Sequence, residues 1–103
     1  MNRIAIVEDD QGYRETLFTY IRQYETERGT TFETTPFEKA DDFLAVYQGD
    51  YDIILMDIEM PGTNGMEAAE EIRKKDAQVV IMFITNMAHY AIKGMKLAHW
   101  TSF

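Results

Sequence analysis

Two unbroken apolar runs limit what this chain can fold into more than any other feature. Residues 53–56 and 79–84 contain no polar side chain, and a strand without polar alternation is typical of a parallel sheet covered on both faces. The first run stops at Asp57, and a Pro61-Gly62 turn follows shortly after it. We therefore expect Asp57 at the carboxyl end of a central strand, where open α/β sheets bind ligands. A lone Asp is better explained as a residue that caps or turns the chain after a strand, so other residues at that edge must decide.

The first part of the chain has a strand pattern followed by a helix pattern. Residues 3–7 form a short β-prone run, and apolar residues recur at steps of three and four over residues 13–24. Asp9 or Asp10 is suited to cap this helix, and Gly29 to end it. The side of the helix that is predicted to face solvent contains Arg14, Glu15, Arg22 and Gln23.

The middle of the chain repeats the same order. Residues 30–35 predict an edge strand closed by Pro36, and residues 40–47 predict a second helix that stops before Gly49. The predicted inner face of this helix contains Phe43, Leu44 and Tyr47.

The order of strand then helix appears twice more, and the first of these two strands is the one that ends at Asp57. A third helix over residues 66–75 is expected to face the core with Met66, Ala69, Ile72 and Arg73. Residues 79–84 then predict a fourth buried strand, and residues 87–93 a fourth helix. Strands alternating with helices predict an α/β fold with a parallel sheet, right-handed crossovers and helices on both faces.

Composition narrows the classes of function. The 103 residues, 46% of them apolar, are enough for one domain and one core. The absence of cysteine excludes disulfides, thiolate metal sites and a cysteine nucleophile. A net charge of −8 disfavours direct binding to nucleic acid or to an anionic membrane. No signal peptide or membrane span is apparent, which predicts a cytoplasmic protein.

Polar side chains follow three of the predicted strands. Glu8, Asp9 and Asp10 come after the first strand, Asp57 after the third and Thr85 after the fourth. Two carboxylates about 4 Å apart repel each other by roughly 4 kcal/mol at an effective dielectric constant near 20. A proton, a lysine or a metal ion must offset that repulsion. Oxygen ligands without Cys or a nearby His suit Mg²⁺ or Mn²⁺.

These residues resemble the receiver domain of two-component response regulators. The acidic cluster after the first strand, the sequence Leu-Met-Asp-Ile-Glu-Met-Pro-Gly over residues 55–62 and Thr85 match the order and spacing of that family. The resemblance covers residues 1 to about 94, and residues 84–94 are most similar to receivers with a DNA-binding output of the LytTR type. It implies a flavodoxin-like, doubly wound sheet with strand order 2-1-3-4-5.

The resemblance also implies a role for each matching residue. Asp57 would accept a phosphoryl group from a phosphohistidine on a sensor histidine kinase. Asp9 would bind Mg²⁺ or Mn²⁺ directly and Glu8 through water, while Asp57 and the backbone carbonyl of Glu59 complete the protein ligands. The Thr85 hydroxyl would bond the phosphoryl group. The expected result is a switch that controls transcription through a DNA-binding output, and not a turnover enzyme, apart from any autodephosphorylation.

The chain departs from the family near its end. Receivers continue into a fifth strand ending in Lys-Pro and then a fifth helix, but the sequence from Leu97 onwards does not match, and neither Lys93 nor Lys96 lies at the family's lysine position. We therefore expect a single receiver domain over residues 1–103, incomplete at its C-terminus and without an output domain. Uncovered apolar surface would favour self-association as a dimer. A substitute fifth strand containing Trp100 and Phe103 is the alternative.

Two other functions fit parts of the pattern. A phosphorylation-independent interaction or dimerisation module would need no phosphate-contacting lysine. A Mg²⁺-dependent phosphatase would use Asp57 as its nucleophile. Asp57-Ile58-Glu59 departs from the Asp-x-Asp pattern of phosphatases of the haloacid dehalogenase type, and the chain is too short for their cap.

Overall fold

The computed structural model of the chain describes residues 2–60 and 62–84. Over these residues four strands alternate with three helices. Their bounds are β1 Asn2–Val7, α1 Gln11–Arg28, β2 Phe32–Phe37, α2 Ala40–Val46, β3 Ile53–Asp57, α3 Gly65–Lys75 and β4 Val80–Ile84. None of the helices in this described part is both long and apolar enough to cross a membrane.

The strands form one parallel sheet in the order β2-β1-β3-β4. This confirms the predicted α/β fold and its strand order 2-1-3-4 as far as the described residues reach. The predicted fifth strand and the helix over residues 87–93 lie outside them. The same holds for Thr85, Lys93, Lys96, Trp100 and Phe103.

Both faces of the sheet are covered, as the continuous apolar runs predict. Because neighbouring strand residues point to opposite faces, Ala5 and Val7 pack with α2 and α3, while Ile4 and Ile6 pack with α1. On β3, Ile54 and Met56 belong to the first cluster, whereas Ile53 and Leu55 pack against the second. The central strands therefore contain continuous apolar runs, residues 4–7 in β1 and 53–56 in β3, and the layers are those of a doubly wound fold.

Helix α1 has the ends that its flanking residues predict. Asp10 is extended and its Oδ1 accepts a hydrogen bond from the backbone N–H of Tyr13 at 3.1 Å. Gly29 follows the last turn with φ 65°, a left-handed conformation that glycine adopts without strain. The helix itself extends beyond the apolar pattern at both ends, from Gln11 to Arg28.

The prediction for β2 was wrong in its bounds, because Pro36 lies inside the strand. The N–H of Glu8 bonds the carbonyl of Phe37 at 3.0 Å, so alternate residues of β2, including Phe37, face β1. Pro36 belongs to the alternate residues of β2, whose backbone N–H groups point away from β1, towards the outer edge of the described sheet. Its missing N–H therefore removes no hydrogen bond from the sheet.

The predicted inner face of α3 was partly wrong. Met66 is 50% exposed and Arg73 is exposed, whereas Gly65 and Ala68 are buried beside Ala69 and Ile72. Small residues on this face let the helix lie close to the sheet, which hydrophobicity alone does not reveal. Strand β4 is also less covered than predicted, with Val80 47% exposed and Ile84 buried.

Candidate functional site

Asp57 lies at the end of β3, in the middle of the carboxyl edge of the sheet. It pairs in register with Ile84 of β4, and its neighbour Met56 pairs with Val7 of β1. The apolar run before it places Asp57 at a fully buried position. Glu8, directly after β1, is also fully buried. Two carboxyl groups are thus held at the interior side of one sheet edge.

Three carboxyl groups meet at this edge. Glu8, Asp9 and Asp57 each offer an oxygen atom, and these atoms lie within 4.8 Å of one another. Asp9 is half-buried, in contrast to the other two. The predicted convergence of acidic residues from β1 and β3 is therefore present in the structure, while the role of each residue stays a prediction.

Glu8 is a buried carboxyl group with a perturbed pKa. Its Oε2 accepts a hydrogen bond from the N–H of Asp10 at 2.9 Å, but its buried Oε1 receives none from the described residues. Burial raises the pKa of Glu8 to about 9; the Asp10 N–H opposes this rise and the negative charge of Asp57 adds to it. The pKa of the Tyr13 phenol is also raised, first by burial and then by the charges of Glu8 and Asp57.

This donor set fits a hard divalent cation. The ligand atoms available are carboxylate oxygens, and one of them, Glu8 Oε1, is buried without a hydrogen-bond donor from the described residues. A divalent ion binds such oxygens, and its charge opposes both the burial and the repulsion by Asp57 that raise the pKa of Glu8. The residues present therefore suit Mg²⁺ or Mn²⁺ better than a metal that prefers nitrogen or sulfur ligands.

The loop between β3 and α3 closes over Asp57. The N–H of Glu59 donates to Asp57 Oδ1 at 3.3 Å, so the residue predicted to offer its carbonyl to a metal lies directly beside the acidic cluster. Thr85 is outside the described residues, and its predicted phosphoryl contact stays a prediction. Ile84, immediately before it in sequence, accepts a hydrogen bond from the Ile58 N–H at 3.3 Å.

The start of α3 is packed against the backbone of Asp57, which the apolar pattern of the sequence did not predict. Gly65 donates its N–H to the Ile58 carbonyl at 3.0 Å, and a Cβ at Gly65 would lie 2.2 Å from the Asp57 carbonyl oxygen. Asn64 and Glu67 form a capping box that fixes this helix end. The pattern Asn-x-x-Glu was the available sequence signal for it.

Arg14 was predicted to face water, and this was wrong. Its Nη1 donates to the backbone carbonyl of Glu8 at 2.7 Å, and its side chain is only 12% exposed. Its Nη2 lies 3.6 Å from Glu38 Oε1. An arginine one turn into a helix can reach back to the strand end before it, which the apolar pattern of α1 does not indicate.

Comparison with known proteins agrees with this geometry. The family model described as response regulator receiver domain matches residues 4–101. The chain belongs to this receiver family. The match reaches past Gly94, the end of the motif resemblance, into the segment that sequence motifs alone did not assign.

Curated receiver-containing relatives are longer than this chain. The sensory transduction protein LytT of Oceanobacillus iheyensis is 34% identical over 98 residues, which are 91% of this chain and 38% of LytT. The aerobic respiration control protein ArcA of Escherichia coli is 38% identical over 82 residues, which are 80% of this chain and 32% of ArcA. The receiver described here thus spans about a third to two fifths of these relatives.

Solved receiver structures are similar in fold and sequence. The response regulator TrrA of Thermotoga maritima in complex with Mg²⁺–BeF matches with a TM-score of 0.72 and 35% identity, over 87% of this chain and 74% of TrrA. A complex of the histidine kinase ThkA with TrrA matches with a TM-score of 0.70 and 35% identity, over 87% of this chain and 73% of that one.

Proposed function

We propose that this receiver accepts a phosphoryl group on Asp57 from a phosphohistidine of a sensor histidine kinase. The observation that carries the proposal is the buried position of Asp57 with oxygens of Glu8 and Asp9 within 4.8 Å. The similar regulator TrrA was crystallised with Mg²⁺–BeF and with a histidine kinase, which supports both the ion and the partner.

The transfer moves one phosphoryl group between two nucleophiles. An oxygen of Asp57 attacks the phosphorus atom, the P–N bond to the imidazole breaks, and its electron pair returns to the ring nitrogen as the acyl phosphate forms. Such transfer depends mainly on position and electrostatics. Buried Asp57 is fixed by the Glu59 N–H, which limits the orientations of its carboxylate. We propose that the Thr85 hydroxyl then bonds the phosphoryl group.

The acidic cluster is proposed to hold Mg²⁺, or Mn²⁺ in its place. Asp9 would bind it directly, Glu8 through water, and Asp57 and the Glu59 carbonyl would complete the protein ligands. When bound, the ion screens the charge between the carboxylate and the anionic phosphoryl group. A bound cation would favour the ionised form of Glu8, whose pKa is otherwise raised to about 9 by burial.

The proposed consequence is a signalling switch rather than a turnover enzyme. Relatives carry names such as transcriptional regulatory protein RprY of Bacteroides fragilis, which supports control of a DNA-binding output. Phosphorylation would act by changing contacts with a partner or a second copy. Dimer formation, the cytoplasmic location and the absence of direct nucleic-acid or membrane binding stay predictions.

The test is chemical phosphorylation without a kinase. We expect incubation with acetyl phosphate and Mg²⁺ to add the mass of one phosphoryl group, measured by intact mass spectrometry, and Asp57→Asn to abolish the adduct. Asp42→Asn is the matched control, because Asp42 is exposed in the first turn of α2 and should leave the adduct unchanged. An unmodified wild-type chain, or an adduct that survives Asp57→Asn, would contradict the proposal; the former favours an interaction module.

A further inference from the structure

The chain from the end of β2 into the first turn of α2 contributes no carboxylate to the acidic cluster, yet it contacts the loop that follows β1 and the loop that follows β3. At one end, Arg14 Nη1 donates to the Glu8 carbonyl at 2.7 Å. Arg14 Nη2 lies 3.6 Å from Glu38 Oε1. Glu38 follows β2, and Glu8 follows β1. This contact links residues 38–41, which run from the end of β2 into the first turn of α2, to the loop that carries Glu8 and Asp9.

At its other end, the same segment holds the loop between β3 and α3. The hydroxyl of Thr63 donates to Asp41 Oδ1 at 2.5 Å. Gly62 has φ 77°, and a Cβ there would lie 3.3 Å from Asp41 Oδ2. The Asp41 carboxylate therefore fits closely around the turn formed by Gly62 and Thr63, which a larger residue at position 62 would disturb.

This contact attaches the last part of the β3–α3 loop, Gly62 and Thr63, to α2 just before the helix cap. The loop leaves β3 at Asp57, where the Glu59 N–H bonds the carboxylate at 3.3 Å, and it ends in the capping box at Asn64. The Thr63–Asp41 hydrogen bond attaches the loop sideways to α2. Neither residue belongs to the acidic cluster, so both can be changed without removing a ligand.

We propose that Thr63 and Asp41 are positioning residues that hold the β3–α3 loop in place and thereby set the preference of the site for Mg²⁺ over larger ions. The proposal rests on the metal site of the proposed function. Mg²⁺ demands a near-ideal octahedron with short bonds, whereas Ca²⁺ accepts longer bonds and irregular geometry. A loosened loop that carries one ligand therefore weakens the binding of Mg²⁺ more than that of Ca²⁺.

The decisive variant is Thr63→Val, which removes the hydroxyl while keeping the shape and the net charge. We expect the Kd for Mg²⁺, measured by isothermal titration calorimetry at constant ionic strength, to rise about three- to tenfold, the usual effect of one hydrogen bond. The Kd for Ca²⁺ should rise less. Thr63→Ser keeps the hydroxyl and should restore the wild-type ratio of the two constants.

Thr19→Val is the matched control. The Thr19 hydroxyl donates to the Glu15 carbonyl at 3.0 Å on the exposed side of α1, so the variant loses a comparable hydrogen bond away from the site. It should leave both dissociation constants unchanged. Urea unfolding in EDTA verifies that each variant is folded. Should Thr63→Val fail to fold, Asp41→Ala removes the acceptor of the same hydrogen bond and should raise the Kd for Mg²⁺ more than that for Ca²⁺, with Asp42→Ala as the control for the lost charge.

The outcomes separate this inference from the proposed function. Wild-type protein that binds neither ion would overturn both. Wild-type protein that binds Mg²⁺, with Thr63→Val binding it equally well, would overturn the positioning role alone. An equal loss of Mg²⁺ and Ca²⁺ affinity in Thr63→Val would also overturn it, because the loop would then not discriminate between the ions.

Discussion

At the scale of single residues, the environment of Asp57 depends on a glycine further along the chain. Gly65 brings the start of α3 against the Asp57 carbonyl, a closeness that leaves no space for a Cβ atom. The capping box of Asn64 and Glu67 then fixes the direction in which the helix leaves. The backbone of Asp57 is therefore closely packed against α3, and its side chain is buried as well.

The first stability prediction concerns Gly65→Ala. The added Cβ would lie 2.2 Å from the Asp57 carbonyl oxygen, and backbone atoms cannot move aside cheaply, so we expect a loss of about 1–3 kcal/mol in the free energy of unfolding. Urea denaturation measures it. Gly12→Ala in α1 is the control, because its Cβ would meet only a side-chain oxygen, at 3.3 Å. Equal stability of the two variants would contradict this packing.

Single residues also show the limit of what sequence predicts here. Glu8, Asp9 and Asp57 were predictable as neighbours, because each follows a strand of one parallel sheet. Arg14 and Thr63 were not, because both act through hydrogen bonds to groups distant in sequence: a backbone carbonyl and the Asp41 carboxylate. Sequence spacing indicates which strand ends converge, but not which polar side chains join the loops between them.

At the scale of elements, the same contrast appears in the helices. The ends of α1 were predictable because Asp10 and Gly29 act locally, as a cap and a left-handed stop. The inner face of α3 was not, because small Gly65 and Ala68 face the sheet while larger Met66 faces outward. How closely a helix approaches a sheet is decided by tertiary packing, which favours small residues at the closest points.

The second stability prediction concerns the contact between α2 and the end of α3. The hydroxyl of Tyr47, just after α2, donates to Asp76 Oδ2 at 2.6 Å, and Asp76 caps the C-terminus of α3. We expect Tyr47→Phe to lower the urea midpoint at neutral pH, because the buried ring stays but the hydrogen bond is lost.

The pH dependence of that loss follows from both partners. The Tyr47 hydrogen bond, with other donors, holds the pKa of Asp76 below its usual 3.8, so this stabilisation is present above that pH and fades as the pH falls through the folded-state pKa. Burial raises the pKa of Tyr47 above its usual 10.0. Above pH 10 the Tyr47 phenol loses its proton at a lower pH in the unfolded chain than in the folded protein. Ionisation of the phenol in that range therefore favours unfolding.

The stability difference between wild type and Tyr47→Phe should therefore be largest between about pH 4 and pH 10 and shrink on either side. Urea titrations across the pH range provide the measurement. Tyr20→Phe is the control, since Tyr20 is 60% exposed. A difference that stays constant with pH would show that the Asp76 hydrogen bond is not its source.

At the scale of the whole molecule, the net charge of −8 and the acidic cluster lead us to expect that stability depends on cations. A ligand that binds only the folded state stabilises it by about 2.7 kcal/mol at one hundred times its Kd. We expect Mg²⁺ to raise the melting temperature in differential scanning calorimetry, beyond the effect of NaCl at equal ionic strength.

Asp9→Asn separates the site from general screening, because it removes one proposed ligand and keeps the shape. We expect it to lose most of the Mg²⁺-dependent rise in melting temperature. Asp42→Asn removes the same charge from an exposed position on α2 and should retain the rise. An equal response in both variants would mean that Mg²⁺ acts through the overall charge and not at the acidic cluster.

The open edge of β2 has a consequence for how the folded molecule behaves in concentrated solution. Three of its residues present their nitrogen outwards: Phe32, Thr34 and Pro36. The Phe32 N–H is already bonded to Glu25 Oε2, at 2.6 Å, and Pro36 has none. Another strand would find a single donor at Thr34, too few to extend the sheet from molecule to molecule. Among the described residues, we therefore expect this edge to resist the intermolecular strand addition that begins fibrillar aggregation.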